Sequence, residues 1–247
     1  MKKFFLFVAT VFSLISCSFS ASASEPQIEE TRVVKAFTQI LIKGSPTVIY
    51  TQGNKCSVKV KAPQNLIKEI KTVSNGNLLE IGRDDKLRKL GFNNSNDMIV
   101  VYVTSPDIVG VDVMGSGEFV SEKPIDTDNI SLKVRGSGEI SVKGHLICDN
   151  AKILVAGSGD INVSDLEALT SNVQVVGSGD INLRQHNVNQ TRVELTGSGD
   201  IEIDCLNCDK LNSVLTGSGD ISISGSVRQL KKSKAGSGSY DINIEQQ

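Results

Sequence analysis

The segment Val193-Glu194-Leu195-Thr196-Gly197-Ser198-Gly199-Asp200-Ile201-Glu202-Ile203 decides the fold. Apolar residues alternate with polar ones on both sides of a Gly-Ser-Gly triplet, which is the period-2 pattern of a half-buried strand on either side of a sharp bend. The same arrangement recurs along the chain, with triplets beginning at Gly115, Gly136, Gly157, Gly177, Gly197, Gly217 and Gly236. A fixed period of about 20 residues is the signature of a solenoid.

The flanking columns repeat with the triplet. Val111/Val113, Leu132/Val134, Ile153/Val155, Val173/Val175 and Val193/Leu195 stand four and two residues before it. After the corner comes an acid, then Phe119, Ile140, Ile161, Ile181, Ile201 or Ile221, and two positions on Val142, Val163, Leu183, Ile203 or Ile223. Each unit reads as strand, corner, strand and a looser return. No helical period of useful length lies between triplets. The expectation is an all-β chain, a β-helix of ~20-residue coils stacked in parallel at ~4.8 Å, so that seven make a rod of ~30 Å.

Glycine at both ends of each corner has a backbone reason: a tight bend needs φ > 0 at one position, and stacked bends leave little room for Cβ atoms. The pairs are Gly115/Gly117, Gly136/Gly138, Gly157/Gly159, Gly177/Gly179, Gly197/Gly199, Gly217/Gly219 and Gly236/Gly238. A phosphate-binding P-loop is excluded, since no helix follows and no Gly-Lys-Ser/Thr occurs. The last coil departs from the rule. Lys232 and Lys234 occupy the apolar columns, and Ser239-Tyr240 is inserted before Asp241-Ile242-Asn243-Ile244, which predicts a cap against end-to-end strand addition.

Residues 33–113 lack the triplet but are strand-like. Candidate strands are Val33–Phe37, Gln39–Ile42, Thr47–Tyr50, Ser57–Val60, Leu78–Ile81 and Met98–Val103. Gly44-Ser45-Pro46, Gly53-Asn54, Asn75-Gly76-Asn77 and Ser105-Pro106-Asp107 are the turns between them. Leu66–Lys71 is expected as a short helical turn and Arg83–Asp97 as a loop. With no linker between 33–113 and 114–247, strands near Val111 should join the two halves.

The amino terminus reads as an address. Lys2-Lys3 and the apolar run Phe4–Ile15 form a secretory signal too short to span a bilayer as a mature helix. Leu14-Ile15-Ser16-Cys17 has the form of a lipobox, with Cys17 lipidated after removal of residues 1–16. Ala21-Ser22-Ala23 would instead place an ordinary cleavage after residue 23. The lipobox is the favoured reading, because Cys17 directly follows the apolar run and a polar tether, including 24–32, comes next.

Composition narrows the function classes. A formal charge of −2 offers no basic stripe for phosphate backbones, so no nucleic-acid partner is expected. Beyond the signal, the aromatics are Phe37, Phe92, Phe119, Tyr50, Tyr102 and Tyr240, too scattered for a stacking platform.

Phe37-Thr38-Gln39-Ile40 leading to Gly44, Val48-Ile49-Tyr50-Thr51-Gln52-Gly53, Asn65-Leu66-Ile67, Asn75-Gly76-Asn77-Leu78-Leu79-Glu80-Ile81 and the serial Gly-Ser-Gly-Asp-Ile corners together resemble the putative auto-transporter adhesin, head GIN domain family. The resemblance covers about residues 33–244. It implies a β-helix-like fold and an exported location in a Gram-negative envelope, and it carries over no catalytic residue. The membrane barrel of an autotransporter is not expected, because the sequence stops three residues after Ile244.

Three constellations are chemically suggestive. Glu118, Glu139, Asp160, Asp180, Asp200 and Asp220 follow successive corners, so stacking places carboxylates ~5 Å apart. Such a column needs backbone N–H groups, shifted pKa values or cations. Turn capping is the leading reading and weak Ca²⁺ binding the second; no other cofactor is expected. Cys205-Leu206-Asn207-Cys208 reads as buried or disulfide-bonded cysteines, with metal binding or redox work as lesser readings. His186, one coil earlier, makes a His/Cys/Cys site geometrically conceivable, whereas Cys148 lies three coils away and Cys56 has no evident partner. His145 and His186 lack a nucleophile motif, and acids on every coil fit a structural role better than one active site.

The expected function is therefore a non-enzymatic, exported envelope protein acting as a binding or adhesion module. Its partner would be an envelope or extracellular glycan or protein, with the membrane reached through the lipid alone. A polysaccharide-binding or polysaccharide-processing β-helix is the first alternative, and a structural protein self-associating into homo-oligomers the second.

Overall fold

The computed structural model describes residues 26–83 and 98–245. The signal, both cleavage signatures, Cys17, Phe92 and most of the expected loop at 83–97 lie outside the described residues. Among the described residues nineteen strands join in one sheet system, and the helical content is a single 3-10 turn, Ile67–Glu69, within the segment expected to turn. The chain is an all-β solenoid.

Each repeat places one strand before its corner and one after it. Before the corner lie β8 (Gly110–Gly115) and β11 (Asn129–Gly136), which pair in parallel with Gly136 opposite Gly115. After it lie β9 (Glu118–Ser121) and β12 (Glu139–Val142), with Ile140 opposite Phe119. The register continues without slippage at the core column Val48, Phe119, Ile140, Ile161, Ile181, Ile201 and Ile221, each at most 1% exposed. Burying one such side chain contributes about 1.5–3 kcal/mol. Only stacking buries it, since a lone coil leaves both its edges open.

The corners stack as tightly as the side chains. Ser198 N–H donates to Gly177 O at 2.8 Å and Ser218 N–H to Gly197 O at 2.9 Å, and the earlier corners repeat the bond. The two glycines of a corner are required for different reasons, in line with a bend that needs φ > 0 at one position and a stack that leaves little room for Cβ atoms. The first of each pair lies at positive φ; at Gly197, with φ +135°, a Cβ would also lie 2.0 Å from Gly177 O. The second glycines, Gly117, Gly138, Gly159, Gly179, Gly199, Gly219 and Gly238, do not take the left-handed angle. Close approach alone excludes a side chain from them. A Cβ on Gly138 would lie 2.4 Å from Gly117 O, on Gly159 2.2 Å from Gly138 O, and on Gly199 2.0 Å from Gly179 O. Gly219 and Gly238 meet the carbonyls of Gly199 and Gly219 in the same way, at 1.9 and 2.0 Å. Gly117, above the Gly44-Ser45-Pro46 bend, is less confined: its Cβ would lie 2.9 Å from both Pro46 O and Ile42 Cγ2.

The first half belongs to the same solenoid. β2 (Gln39–Gly44) pairs in parallel with β8, Gly44 opposite Gly115, and β3 (Thr47–Gln52) pairs with β9, Thr47 opposite Glu118. Gly44-Ser45-Pro46 is therefore a corner in its own right: Ser116 N–H donates to Gly44 O and Glu118 N–H to Pro46 O. On the other side of this coil, β6 (Leu78–Arg83) and β7 (Val100–Ser105) pair in parallel with β2 and β3. The coil encountered first in sequence is thus second in the stack. Eight parallel pairings from β7 upward span about 38 Å at ~4.8 Å each.

Antiparallel strands close the amino-terminal end. β4 (Ser57–Pro63) pairs with β7, β1 (Gln27–Arg32) with β4, and β5 (Ile70–Asn75) with β6. This corrects two expectations. Gln27–Arg32, assigned to the tether 24–32, is a strand, while Val33–Phe37, expected as a strand, is irregular with Val33 fully exposed. β1 carries charge along an exposed edge, so its sequence has no apolar alternation to reveal it.

At the other end, Lys232 and Lys234 are exposed on β18 (Asp220–Ala235), as the cap expectation requires. Ser239 and Tyr240 on β19 (Ser239–Glu245) are not an insertion, which corrects that expectation: they pair with Asp220 and Ile221, so Ser239 takes the acid position and Tyr240 continues the isoleucine column. Its hydroxyl is 3.0 Å from Ser213 Oγ and donates to Ser233 O, and Lys232 Nζ stands 5.2 Å from its ring centroid. Ser213 occupies the apolar column of Val193 and is 2% exposed, so this tyrosine provides its partner.

Two outcomes follow. Gly199→Ala should destabilise the protein by about 3 kcal/mol through overpacking against fixed backbone. Gly76→Ala, at φ +58° with open space around the Cβ, should cost only about 1–2 kcal/mol. Urea midpoints separate the two. Secondly, burial pushes the Tyr50 phenol from 10.0 up to about 12 against the lowering hydrogen bond from Ser105. Unfolded tyrosine ionises first, so this contribution is intact below pH 10 and is lost as pH rises from 10 to 12. Tyr50→Phe should flatten the fall in stability across that window, measured by urea unfolding at each pH.

Candidate functional site

The acid column forms as the repeat predicts, and its compensation is visible. Asp160 Oδ1 accepts Asp180 N–H at 3.3 Å, Asp180 Oδ1 accepts Asp200 N–H at 2.9 Å, and Asp200 Oδ1 accepts Asp220 N–H at 3.0 Å. Asp220 Oδ1 closes the series by accepting both the N–H and the hydroxyl of Ser239. The Ser239 hydroxyl first, and its N–H second, hold the Asp220 carboxyl below the ordinary range. Lower in the stack, Glu139 accepts Asn162 Nδ2 at 3.2 Å and Glu118 accepts Thr47 Oγ1 at 3.1 Å. Every carboxylate of the column from Glu118 to Asp220 therefore has a protein donor.

The two cysteines of the C-x-x-C point inward and are free thiols. Asn207 between them adopts φ +58°, the left-handed conformation that asparagine tolerates, which turns the chain so that Cys205 and Cys208 both enter the core. Gln185, fully buried one coil below, donates from Nε2 to Thr191 Oγ1 at 2.8 Å, Cys205 Sγ at 3.4 Å and Cys208 Sγ at 3.7 Å. The hydrogen bond between the thiols raises the pKa of Cys205 and lowers that of Cys208 to about 7, while burial opposes ionisation of both. Burial also pushes the Cys148 thiol up to about 11.

His186 does not join these thiols. It lies opposite Leu206 and faces outward, with Nδ1 3.0 Å from Asp165 Oδ1 and Nε2 3.3 Å from Glu167 Oε2. Its ring stacks on that of His145, with centroids 5.4 Å apart and planes at 29°. Sequence reasoning treated the two histidines singly. The repeat could have united them, since His145 and His186 are two coil periods apart and Asp165 falls one period from each.

Exposed polar ladders run along the coils. Asn182 Nδ2 donates to Asn162 Oδ1, Asn150 Nδ2 to Asn129 Oδ1, and Asn207 Nδ2 to Asn187 Oδ1, at 2.9–3.1 Å. Arg184 Nε donates to Asp204 Oδ2 at 3.1 Å. An open depression of about 290 Å³ follows one such ladder, lined by Asn162, Ser164, Asn182, Arg184, Glu202 and Asp204.

These coils, corners and ladders match a known family. The profile of the putative auto-transporter adhesin, head GIN domain, matches residues 36–203 and 184–243. The chain belongs to that family. Solved structures share the fold. A putative adhesin from Bacteroides fragilis is 23% identical with a TM-score of 0.75, over 89% of this chain and 98% of that one. A putative adhesin from Parabacteroides merdae is 17% identical with a TM-score of 0.72, over 87% and 95%. A putative lipid binding protein from Parabacteroides distasonis is 22% identical with a TM-score of 0.70, over 87% and 96%. At these identities the likeness is one of fold. A search of curated proteins returns no match.

If the acids of this head GIN domain act as acceptors, Asp200→Ala should cost about 1 kcal/mol by freeing the Asp220 N–H. Asp200→Asn, which keeps the acceptor oxygen, should cost a few tenths of that. Chemical unfolding of the two variants, with and without millimolar Ca²⁺, tests the assignment.

Proposed function

We propose that the protein is a non-enzymatic, exported envelope protein whose solenoid serves as an adhesion-type binding module. A lipid on Cys17 would hold it to the membrane, and its partner would be a glycan or protein of the envelope or cell exterior. The carrying observation is the repeated exposed surface: asparagine and charged ladders recur from coil to coil, while the acids that could have served catalysis accept backbone and side-chain donors. A long face of repeated composition suits many weak contacts in register, where affinity accumulates by multivalency. Family membership supports the same reading.

Beads coated with the purified protein should adhere to intact bacterial cells. Adhesion should fall at least about tenfold when the depression is reversed in character by Asn182→Lys with Arg184→Glu, with unchanged thermal melting. Incubation with envelope polysaccharides should release no reducing ends. Adhesion indifferent to the double variant, or sugar release, would overturn the proposal. Growth with a labelled fatty acid should mark the wild type and leave Cys17→Ala unmarked; an unmarked wild type would remove the anchor.

A further inference from the structure

The adhesion reading leaves one cluster unused, and it stands independently of that reading. His145, Asp165, Glu167 and His186 come from three successive coils of the return segment. Leu146, next to His145, pairs with Leu166, and Glu167 pairs with both Ile147 and His186. Parallel stacking therefore puts the two carboxylates on the coil between the two imidazoles. One ligand atom each from His145, Asp165 and His186 lies within 4.8 Å of the others, and among the described residues this is the group that brings three such atoms together.

We infer that this cluster binds one divalent transition-metal ion of the zinc class. A ring nitrogen of His145, Nδ1 of His186 and a carboxylate oxygen of Asp165 are the ligands, and Glu167 is the outer carboxylate that orients the imidazoles. The donor set carries the choice of ion. Two imidazoles with a carboxylate suit zinc, copper or nickel, whereas calcium takes six to eight oxygens.

The geometry agrees. Ligands ~2.0–2.2 Å from a tetrahedral ion are ~3.3 Å from one another, and His186 Nδ1 already stands 3.0 Å from Asp165 Oδ1. The other nitrogen, Nε2, is 3.3 Å from Glu167 Oε2, the carboxylate–histidine arrangement that fixes a ligating ring. His145 supplies an independent sign. Its Nε2 is buried with no hydrogen-bond partner and lies 3.6 Å from Glu167 Oε2.

Charge points the same way. Two imidazoles with two carboxylates match a divalent ion in charge. The four side chains are 21–43% exposed, so side chains can close on the ion and a water molecule can take the remaining position. Held across three coils, the ion would act as a staple between them.

The test uses the purified mature protein, freed of metal and titrated calorimetrically with Zn²⁺, then with Co²⁺ for its visible spectrum. One equivalent should bind and raise the melting temperature, and the cobalt form should show ligand-field bands without thiolate charge transfer. His145→Asn, Asp165→Asn and His186→Asn should each weaken binding at least about tenfold, and Glu167→Gln about tenfold. Cys205→Ser with Cys208→Ser should leave binding unchanged. Melting of each metal-free variant reports its fold, and Glu167→Gln carries the test should a histidine variant melt early. No heat even in millimolar zinc, or binding that survives the histidine variants and disappears with the cysteines, overturns the inference.

Discussion

The rest of the structure depends on how closely one corner sits on the next. A serine N–H reaches the glycine carbonyl of the coil below, and the space a Cβ would need is filled by that carbonyl. This single contact sets the vertical spacing at one edge of the coil. The strands on either side inherit the spacing as a continuous parallel ladder, and the isoleucine column inherits it as core packing. Side-chain volume varies along the column, from Val48 to Phe119 to Ile140, with all three buried. The seven Gly-Ser-Gly corners do not vary.

The polar exterior obeys the same spacing. Residues at equal offsets from their corners meet across coils, so asparagine finds asparagine and arginine finds aspartate. The acid column shows how the register resolves a conflict. Like charges at one-coil spacing repel, and each aspartate instead turns one oxygen toward the next backbone N–H. Its electrostatic cost is lowered by a bond that also pins the corner above. The inward C-x-x-C follows from a bend in the return segment, where Asn187 and Asn207 on successive coils both adopt left-handed angles.

What the sequence reveals and what it hides have one cause. The period is written in glycines, so the seven Gly-Ser-Gly coils and their core columns are legible directly. Which of the two glycines carries the positive φ is not legible, because backbone angle and close approach both select the same residue. Gly44-Ser45-Pro46 is legible as a turn but not as a corner of the stack, because proline replaces the second glycine and β4 to β7 intervene between Gly44 and Gly115. β1 escapes notice because it is a charged, exposed edge strand. The acid column is legible as a column, but its donors depend on side-chain torsions that no spacing encodes. The histidine pair is hidden for another reason. His145 and His186 share one offset, nine residues past the first glycine of their corners, but they stand two coils apart with no histidine on the coil between them, and the register shift between Val163 and Leu166 on that coil is not written in the spacing.

The displaced first coil bears on how the protein is made. A chain synthesised from its amino terminus presents β2 and β3 before either neighbour exists, and both must wait for residues beyond 100 to be flanked. The early part of folding is thus a non-local closure with a high entropic cost. Once β8 and β9 have docked, every later coil is laid on an edge made by the residues just before it. Assembly changes from a slow closing of distant parts to a growth process, in which each finished turn is the template for the next.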